Sequence, residues 1–420
     1  YEIPLRLVGS EMCIRDRKSS IDIYQFLTFL VPSVKMLENT KYRRNPFMTY
    51  YIKADKFFYP YEVKTGGFLQ ITDGKFGKWT ADAPAGADIL DYSGQSIAPG
   101  LVDTHIHGFG GADTNDRKIE GIVQTMSEGL LAAGVTSFFP TAVTASHEEL
   151  LEVADEIGSN VDKAAGAKIR GLFFEGPYFT EEFKGAQNPK YMRDPSYSEL
   201  AEYGEAAKGL PIKIGIAPER EGSTSFVKEA VEHGFTIALG HSNATYADAV
   251  EAVQAGASMW VHAFNGMRGL NHREPGMVGA VFNLPNTYAE LICDGFHVRP
   301  EACQILMREK GTDHVVLITD SMRAAGLSDG EYYLGEFPVI VKDGAARLKE
   351  GGNLAGSILL LKDAVKNVVD WQIATPAEAV KMASLNAAKS TKIDDVCGQI
   401  KEGLDADFIV LDEHLELVAT

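Results

Sequence analysis

Short apolar runs alternate with longer amphipathic segments through most of the chain. The runs cover residues 97–105, 135–141, 169–175, 212–219, 236–241, 258–262, 288–294 and 314–320. Between them lie segments with apolar residues at helical spacing, such as residues 248–256, which end in a glycine as many helices do. Eight strand-like runs that alternate with helices predict a parallel (β/α)8 TIM-like barrel in an α/β protein.

The two ends of the chain carry a different pattern, in which short alternating strands are separated by turns. Residues 50–97 contain several such strands, and Asp73 with Gly74 is a strong hairpin signal. Residues 403–411 and 415–418 show the same pattern. We therefore expect residues 48–97 and 394–420 to form one small β-sandwich domain beside a barrel of residues 98–393.

The first 47 residues do not fit this organisation. The chain begins at Tyr1, and residues 8–17 resemble translated sequencing-adapter sequence. The orderly strand pattern begins directly after Met48. We expect residues 1–47 to be a non-native or disordered extension, with Met48 as the natural start.

Composition and charge exclude several classes of partner. The 420 residues are 45% hydrophobic, which suffices for a barrel and a small companion domain. The formal net charge of -18 opposes binding to nucleic acid or to an anionic membrane, so we expect neither partner. The cysteines show no CxxC spacing and are too sparse for a disulfide framework, which predicts a cytoplasmic protein. They are Cys13, Cys293, Cys303 and Cys397.

Polar side chains stand at the ends of the strand-like runs. His105 and His107 are two residues apart, so on a strand they point to the same side. Four later runs also end in a group that could bind metal or transfer a proton, and these groups are Glu175, His241, His262 and Asp320. Because the carboxyl ends of barrel strands converge on one mouth, we expect the six side chains to lie together.

Imidazoles and a carboxylate around an open position are the ligands of a hydrolytic divalent metal. Such an ion lowers the pKa of a water ligand towards ~7. The candidate ligands His105, His107, Glu175, His241 and His262 allow one or two ions, with Glu175 bridging in the second case. Asp320 is the candidate general base, which takes a proton from water and returns it to the leaving group.

Each of these residues also has a structural explanation. Glu175 precedes a Gly-Pro pair and could cap a turn, while His241 or His262 alone could be a hydrogen-bonded core histidine. Asp320 could cap a helix over residues 321–326, a role that is compatible with catalysis. Their joint occurrence at strand ends favours a common site.

Two loops after these strands are candidate parts of a pocket. Residues 108–113 are rich in glycine but lack the GxGxxG spacing of a nucleotide site, so we expect a flexible pocket wall. Residues 266–276 contain two arginines. We expect Arg273 to face the barrel mouth, where its guanidinium group suits an anionic substrate group such as phosphate.

From about Met48 to its end, the chain resembles the amidohydrolase superfamily, and within it the deacetylases of amino-sugar phosphates. The motifs are specific as a set. They are PGLVDTHIHG (99–108), FEGPY (174–178), KGAQNP (184–189), GHSNAT (240–245), HAFNGM (262–267), HREPG (272–276), DGFH (294–297), TDSM (319–322) and NLAGS (353–357).

The resemblance implies hydrolysis of the N-acetyl group of N-acetylglucosamine 6-phosphate to glucosamine 6-phosphate and acetate, in amino-sugar catabolism. It implies that a divalent ion, zinc, iron or similar, is held by Glu175, His241 and His262, and a possible second ion by His105 and His107. Asp320 would be the acid-base residue. Contacts to the sugar phosphate would come from Ala186, Gln187, Asn265, Gly266, Arg273, His297, Leu354, Ala355 and Gly356. The resemblance also implies a homodimer with a shared active site, in which Arg273 and His297 reach across from the neighbouring subunit.

Two departures from the family pattern affect these expectations. Many relatives have histidine where this chain has Gln187, and that histidine helps to polarise the scissile carbonyl. An amide is a weaker electrostatic partner, so we expect a second metal to compensate. Relatives also continue past Thr420 with a further strand, so the second part of the small domain is expected to be truncated.

Three other functions remain open from the sequence. The near alternatives are deacetylation of another amino-sugar phosphate, such as N-acetylgalactosamine 6-phosphate, and another amidohydrolase reaction, such as hydrolysis of a cyclic amide. The distant alternative is a non-catalytic scaffold. Lost ligands would mark such a scaffold, and the sequence retains all of them.

Overall fold

The computed structural model describes residues 48–117, 119 and 121–420. The expectation that residues 1–47 are a non-native or disordered extension lies outside these residues. Among the helices of the described part, none combines the length and the apolar composition that a membrane crossing requires.

Strands form the barrel wall and three further sheets. In chain order they are β1 (Thr49–Phe58), β2 (Val63–Thr65), β3 (Phe68–Thr72), β4 (Lys75–Thr80), β5 (Ile89–Pro99), β6 (Leu101–Ile106), β7 (Gly108–Phe109), β8 (Ala112–Asp113), β9 (Val135–Val143), β10 (Lys168–Ile169), β11 (Leu172–Tyr178), β12 (Ile212–Ile216), β13 (Thr236–Leu239), β14 (Met259–Trp260), β15 (Tyr288–Ile292), β16 (Val315–Ile318), β17 (Gly330–Leu334), β18 (Phe337–Lys342), β19 (Ala345–Leu348), β20 (Phe408–Leu411) and β21 (Leu417–Ala419).

Most helices lie between barrel strands, as the alternating pattern predicts. In chain order they are α1 (Ile122–Ala132), α2 (His147–Asn160), α3 (Tyr197–Ala206), α4 (Ser223–Glu232), α5 (Tyr246–Ala255), α6 (Gly276–Asn283), α7 (Pro300–Lys310), α8 (Leu361–Asp370), α9 (Pro376–Met382) and α10 (Leu385–Ser390). The predicted helix over residues 248–256 is confirmed as α5. It begins after Thr245, whose side chain accepts from the backbone N–H of Asp248, and it ends at Gly256 with φ 120°.

Eight parallel strands form the barrel, in the order β6, β9, β11, β12, β13, β14, β15 and β16. Each falls within or overlaps one predicted apolar run, so the predicted barrel is confirmed. The last strand meets the first through a parallel bridge between Ile106 and Ser321. There the backbone N–H of Asp320 donates to the carbonyl of His105 at 2.9 Å, and that of His107 donates to the carbonyl of Ser321 at 2.9 Å.

The predicted association of the two chain ends is also confirmed. One seven-stranded sheet has the order β21, β20, β5, β1, β3, β4, with β2 beside β1. The sheet curls back on itself, because Phe76 on β4 exchanges backbone hydrogen bonds with Gly403 and Leu404, just ahead of β20. The hairpin expected at Asp73 and Gly74 joins β3 to β4, and both residues have positive φ, 52° and 69°.

Two segments differ from expectation. Residues 321–326 form turns instead of a helix, because the backbone N–H of Met322 donates to the carbonyl oxygen of Ser357, which is distant in sequence. A three-stranded antiparallel sheet, β17–β18–β19, follows the last barrel strand. The sequence analysis assigned these residues to the barrel and did not predict this sheet. Its buried residues, among them Leu334 and Val339, pack with Met322 and Ala355 near the barrel mouth.

Candidate metal centre

The barrel mouth brings together all six side chains expected there. His105 lies on β6 with His107 just after it, Glu175 lies on β11, and the rest follow the ends of their strands by two residues. Those three are His241, His262 and Asp320. All six residues are buried, none being more than 8% exposed.

Three of these residues have positive backbone φ angles, which residues other than glycine rarely adopt. The φ values are 46° for His241, 26° for His262 and 49° for Asp320. Strain of this kind concentrates at functional sites, where the surrounding structure enforces it. Gly266 leaves the required space, since a Cβ atom there would lie 2.9 Å from Nδ1 of His241.

The side chains form two adjacent trios of potential metal ligands. One trio is His105, His107 and Asp320, and the other is Glu175, His241 and His262. Within each trio the ligand atoms lie within 4.8 Å of one another. The structure thus offers two positions for a cation.

Glu175 faces both trios with different oxygen atoms. Its Oε1 lies 3.1 Å from Nε2 of His241 and 2.9 Å from Nε2 of His262. Its Oε2 lies 3.2 Å from Nε2 of His107. A carboxylate placed in this way could bridge two ions, as the sequence suggests for the two-metal case.

Each of the four imidazoles is held through its Nδ1 atom. Nδ1 of His105 lies 3.0 Å from a carboxylate oxygen of Glu290. The others contact backbone carbonyl oxygens, His107 that of Thr141 at 3.0 Å, His241 that of Phe183 at 2.9 Å and His262 that of Asn265 at 3.1 Å. Because these oxygens can only accept, each Nδ1 carries the hydrogen, and the Nε2 atoms point into the site as ligands.

The residues present fit a divalent metal. Nε2 of His105 is buried and has no hydrogen-bond partner among the described residues, and a buried polar atom left in this way is costly. Four imidazole nitrogens and two carboxylates around one space match the ligands of zinc or iron(II) in hydrolytic sites.

The electrostatics of the site also favour a cation. Burial alone would lower the pKa of His105, but the carboxylates of Asp320, Glu290 and Glu175 raise it to about 9. For Glu175, burial alone would raise the pKa, because it disfavours the charged carboxylate. The charge of His105 nevertheless keeps the pKa of Glu175 well below its usual range. The pKa of His107 is also well above its usual value, despite burial, because of Asp320 and Glu175. A bound divalent ion would take the place of these protons.

A cavity of about 150 Å³ opens above the two trios. Its lining includes most residues expected to contact substrate, namely Ala186, Gln187, Asn265, Gly266, His297, Leu354 and Gly356. Ala355 is buried behind this lining and packs against Met322. Residues 108–113, expected as a pocket wall, form the buried hairpin of β7 and β8 and do not line the cavity. Leu334 from the missed three-stranded sheet does line it.

Of the two residues expected to serve a neighbouring subunit, His297 lines the cavity and Arg273 does not. His297 lines the cavity of its own chain, with its Nδ1 atom 2.6 Å from a carboxylate oxygen of Asp294. Arg273 is exposed on the loop after β14 and does not line that cavity.

The sequence reasoning missed Lys213 and Glu290. They lie inside β12 and β15, are fully buried and form an ion pair beneath the trios. A charged residue inside an otherwise apolar parallel strand is a readable signal, because it is costly to bury without a partner. The presence of one lysine and one glutamate in two such strands could have indicated the pair.

Comparisons with known proteins place the chain among hydrolases. Residues 96–419 match the Amidohydrolase family. The N-acetylglucosamine-6-phosphate deacetylase of Lysinibacillus sphaericus is 39% identical, over 83% of this chain and 90% of its own. The N-acetylgalactosamine-6-phosphate deacetylase of Escherichia coli O157:H7 is 36% identical, over 83% of this chain and 91% of its own.

A solved structure shows the same architecture. It is a variant of N-acetyl-D-glucosamine-6-phosphate deacetylase from Mycobacterium smegmatis, in complex with N-acetyl-D-glucosamine-6-phosphate. The match has a TM-score of 0.83 and 31% sequence identity, and it covers 88% of this chain and 96% of that one.

Proposed function

Because the chain belongs to the amidohydrolase family, we propose that it is a metal-dependent deacetylase of amino-sugar phosphates. Its substrate is N-acetylglucosamine 6-phosphate, and its products are glucosamine 6-phosphate and acetate. The observation that carries the proposal is the pair of adjacent ligand trios at the barrel mouth, beneath a cavity lined by the matching motifs. The distant alternative of a non-catalytic scaffold loses support, since every expected ligand is in place.

Glu175, His241 and His262 would hold the principal ion, and His105 and His107 would hold a second one. When bound, a divalent ion supplies Lewis acidity and lowers the pKa of water. Asp320 takes the proton of the attacking water and later donates it to the amine that leaves. Its Oδ1 lies 3.1 Å from Nε2 of His107 and the residue lines the cavity, which supports this role.

Gln187 positions the acetyl group. Its side-chain oxygen accepts from the backbone N–H of Thr144 at 2.8 Å, and its Nε2 donates to Glu175 at 2.6 Å. These two bonds fix the orientation of the amide. We assign the second Nε2 hydrogen to the acetyl oxygen of the substrate, where it polarises the carbonyl more weakly than an imidazolium would.

Sugar and phosphate contacts come from the residues that line the cavity above the trios, His297 of the same chain included. Arg273 lies outside that cavity, and we propose that it completes the phosphate site of a neighbouring subunit in a homodimer. The net charge of -18 supports this arrangement, because a local arginine is needed to attract a phosphorylated substrate.

We also place the enzyme in the cytoplasm. The described cysteines, Cys293, Cys303 and Cys397, are free thiols, which suits a reducing compartment. The partner is a small molecule, without nucleic acid or membrane.

The test is release of acetate from a panel of N-acetylated compounds. The panel contains N-acetylglucosamine 6-phosphate, N-acetylgalactosamine 6-phosphate and the two sugars without phosphate, and ring opening of a cyclic amide is measured separately. We expect the glucosamine compound to have the highest kcat/KM, and loss of the phosphate to reduce it strongly.

The galactosamine compound is the second candidate, because a relative with that name is 36% identical to this chain. A higher kcat/KM for that compound would identify N-acetylgalactosamine 6-phosphate as the preferred substrate. Absence of acetate release from every compound, in protein loaded with zinc or iron(II), would refute the deacetylase proposal.

A further inference from the structure

A buried ion pair between Lys213 and Glu290 lies in the barrel interior beneath the metal centre. Lys213 lies on β12 and Glu290 on β15, and both side chains have no exposed surface. Burying two charges costs several kcal/mol for each ion in typical proteins, so an ion pair in a barrel core is a poor way to gain stability. A pair in this position calls for another role.

Glu290 contacts one ligand from each trio. Its Oε2 accepts from Nδ1 of His105 at 3.0 Å and lies 3.3 Å from the backbone nitrogen of His262. The Nδ1 atoms of the other three site histidines contact backbone carbonyl oxygens, so His105 is the one site imidazole whose Nδ1 is held by a carboxylate. A single oxygen atom thus holds a side chain of one trio and the strained backbone of the other.

Lys213 fixes Glu290 in turn. Its Nζ pairs with the other carboxylate oxygen of Glu290 and lies 3.3 Å from the carbonyl oxygen of Thr104, directly before His105. The ammonium group also lies 3.7 Å from the centre of the Phe173 ring, and that ring packs edge-on against the His105 imidazole. Lys213 therefore contacts three groups that adjoin His105, namely Glu290, the Thr104 carbonyl oxygen and the Phe173 ring.

We propose that Glu290 and Lys213 are positioning residues of the metal centre. Glu290 fixes the Nδ1–H tautomer and the ring orientation of His105, and Lys213 fixes Glu290. Together they prepare the position beside His105 and His107 to bind its ion. The inference rests on the proposed metal centre and is independent of which sugar phosphate is the substrate.

Two double variants separate positioning from a merely structural role. In Lys213→Met with Glu290→Gln, the glutamine oxygen can still accept from His105. In Lys213→Met with Glu290→Leu, that acceptor is lost. Neither variant leaves a buried unpaired charge, so both avoid the main folding penalty of the single substitutions. Lys310→Met is the matched control, since Lys310 is a buried lysine on α7 whose Nζ bonds to Thr287, away from the site.

The readouts are metal content after dialysis, metal affinity from competition with a chelator, and the tautomer of His105 from nitrogen-15 chemical shifts. Substrate turnover is not needed for any of them. We expect the leucine variant to bind the ion at the His105 position roughly 10- to 100-fold more weakly than the glutamine variant. The ion held by His241 and His262 should remain, and Lys310→Met should lower thermal stability without changing metal content.

Equal metal affinity in the two double variants and the unmodified protein would overturn the proposal, whether one ion or two are bound. If the leucine variant does not fold, Glu290→Asp replaces it, because that change keeps the charge and shortens the reach to His105. Unchanged affinity in the aspartate variant would overturn the proposal too. If the unmodified protein binds no divalent ion, the proposed function fails, and a His105 tautomer that is the same in both double variants then refutes the positioning role separately.

Discussion

Removal of the metal should make the stability of the fold depend on pH in the range of the site histidines. Nearby carboxylates raise the pKa of His105 from 6.5 to about 9, and they raise the pKa of His107 as well. Both imidazoles therefore bind a proton more tightly in the folded chain than in the unfolded chain. Their stabilising contribution is complete below pH 6.5 and is lost as the pH rises through about 9.

The size of the effect follows from the pKa shift. For His105 alone, the shift corresponds to about 3 kcal/mol of unfolding free energy between the two ends of this range. Because the entropy of unfolding grows with chain length, that energy corresponds to a fall of roughly 4 °C in Tm for a protein of this size.

The assay is calorimetry of chelator-treated protein at several pH values between 6.5 and 9. The control is the double variant His105→Asn with His107→Asn, treated in the same way, because it retains Lys310, whose pKa burial lowers to about 8, within the same range. The Tm of the unmodified protein should fall more steeply with pH than that of the variant. Parallel curves for the two proteins would show that the carboxylates do not hold protons on these histidines, and the reasoning would be refuted.

Three further predictions concern the loaded enzyme. Asp320→Asn should lower kcat by roughly 10²- to 10⁴-fold with unchanged metal content and substrate binding, and near-normal turnover would show that Asp320 is not the base. The double variant His105→Asn with His107→Asn should reduce the metal content from two ions to one and lose most activity, with partial rescue by Gln187→His. A single ion in the fully active unmodified protein would remove that argument. Mixing the Asp320→Asn and Arg273→Ala variants under conditions of subunit exchange should restore activity, since the mixed dimer contains one complete site. No gain in activity despite proven exchange would rule out the shared site.

The barrel and its six mouth residues could be predicted because they follow from local patterns. Apolar runs of strand length predict buried parallel strands, and a polar residue at the end of each run marks the mouth. His241 and Asp320 could be assigned to the candidate site from their positions at strand ends, without knowledge of their contacts. The two ends of the chain could be joined for the same reason, since each shows strand alternation without an intervening helix.

What could not be predicted depends on contacts between distant segments. Residues 321–326 have good helix formers, but their backbone is recruited by Ser357, and tertiary contacts of this kind override local propensity. The pairing of Lys213 with Glu290 depends on the register of two strands that are separated by others in the barrel. The placement of His297 in its own cavity depends on the turn that follows β15, in which Asp294 accepts from the backbone N–H of His297 at 2.8 Å.

The seam where the first barrel strand meets the last has a consequence for biosynthesis. His105 and His107 emerge early from the ribosome, whereas Asp320 and its hydrogen bond to the His105 carbonyl wait until the eighth strand has been made. A nascent chain that stops before β16 has neither a closed barrel nor a complete set of catalytic groups. With Asp320 as the proposed general base, we therefore expect hydrolytic activity only after the whole barrel has closed.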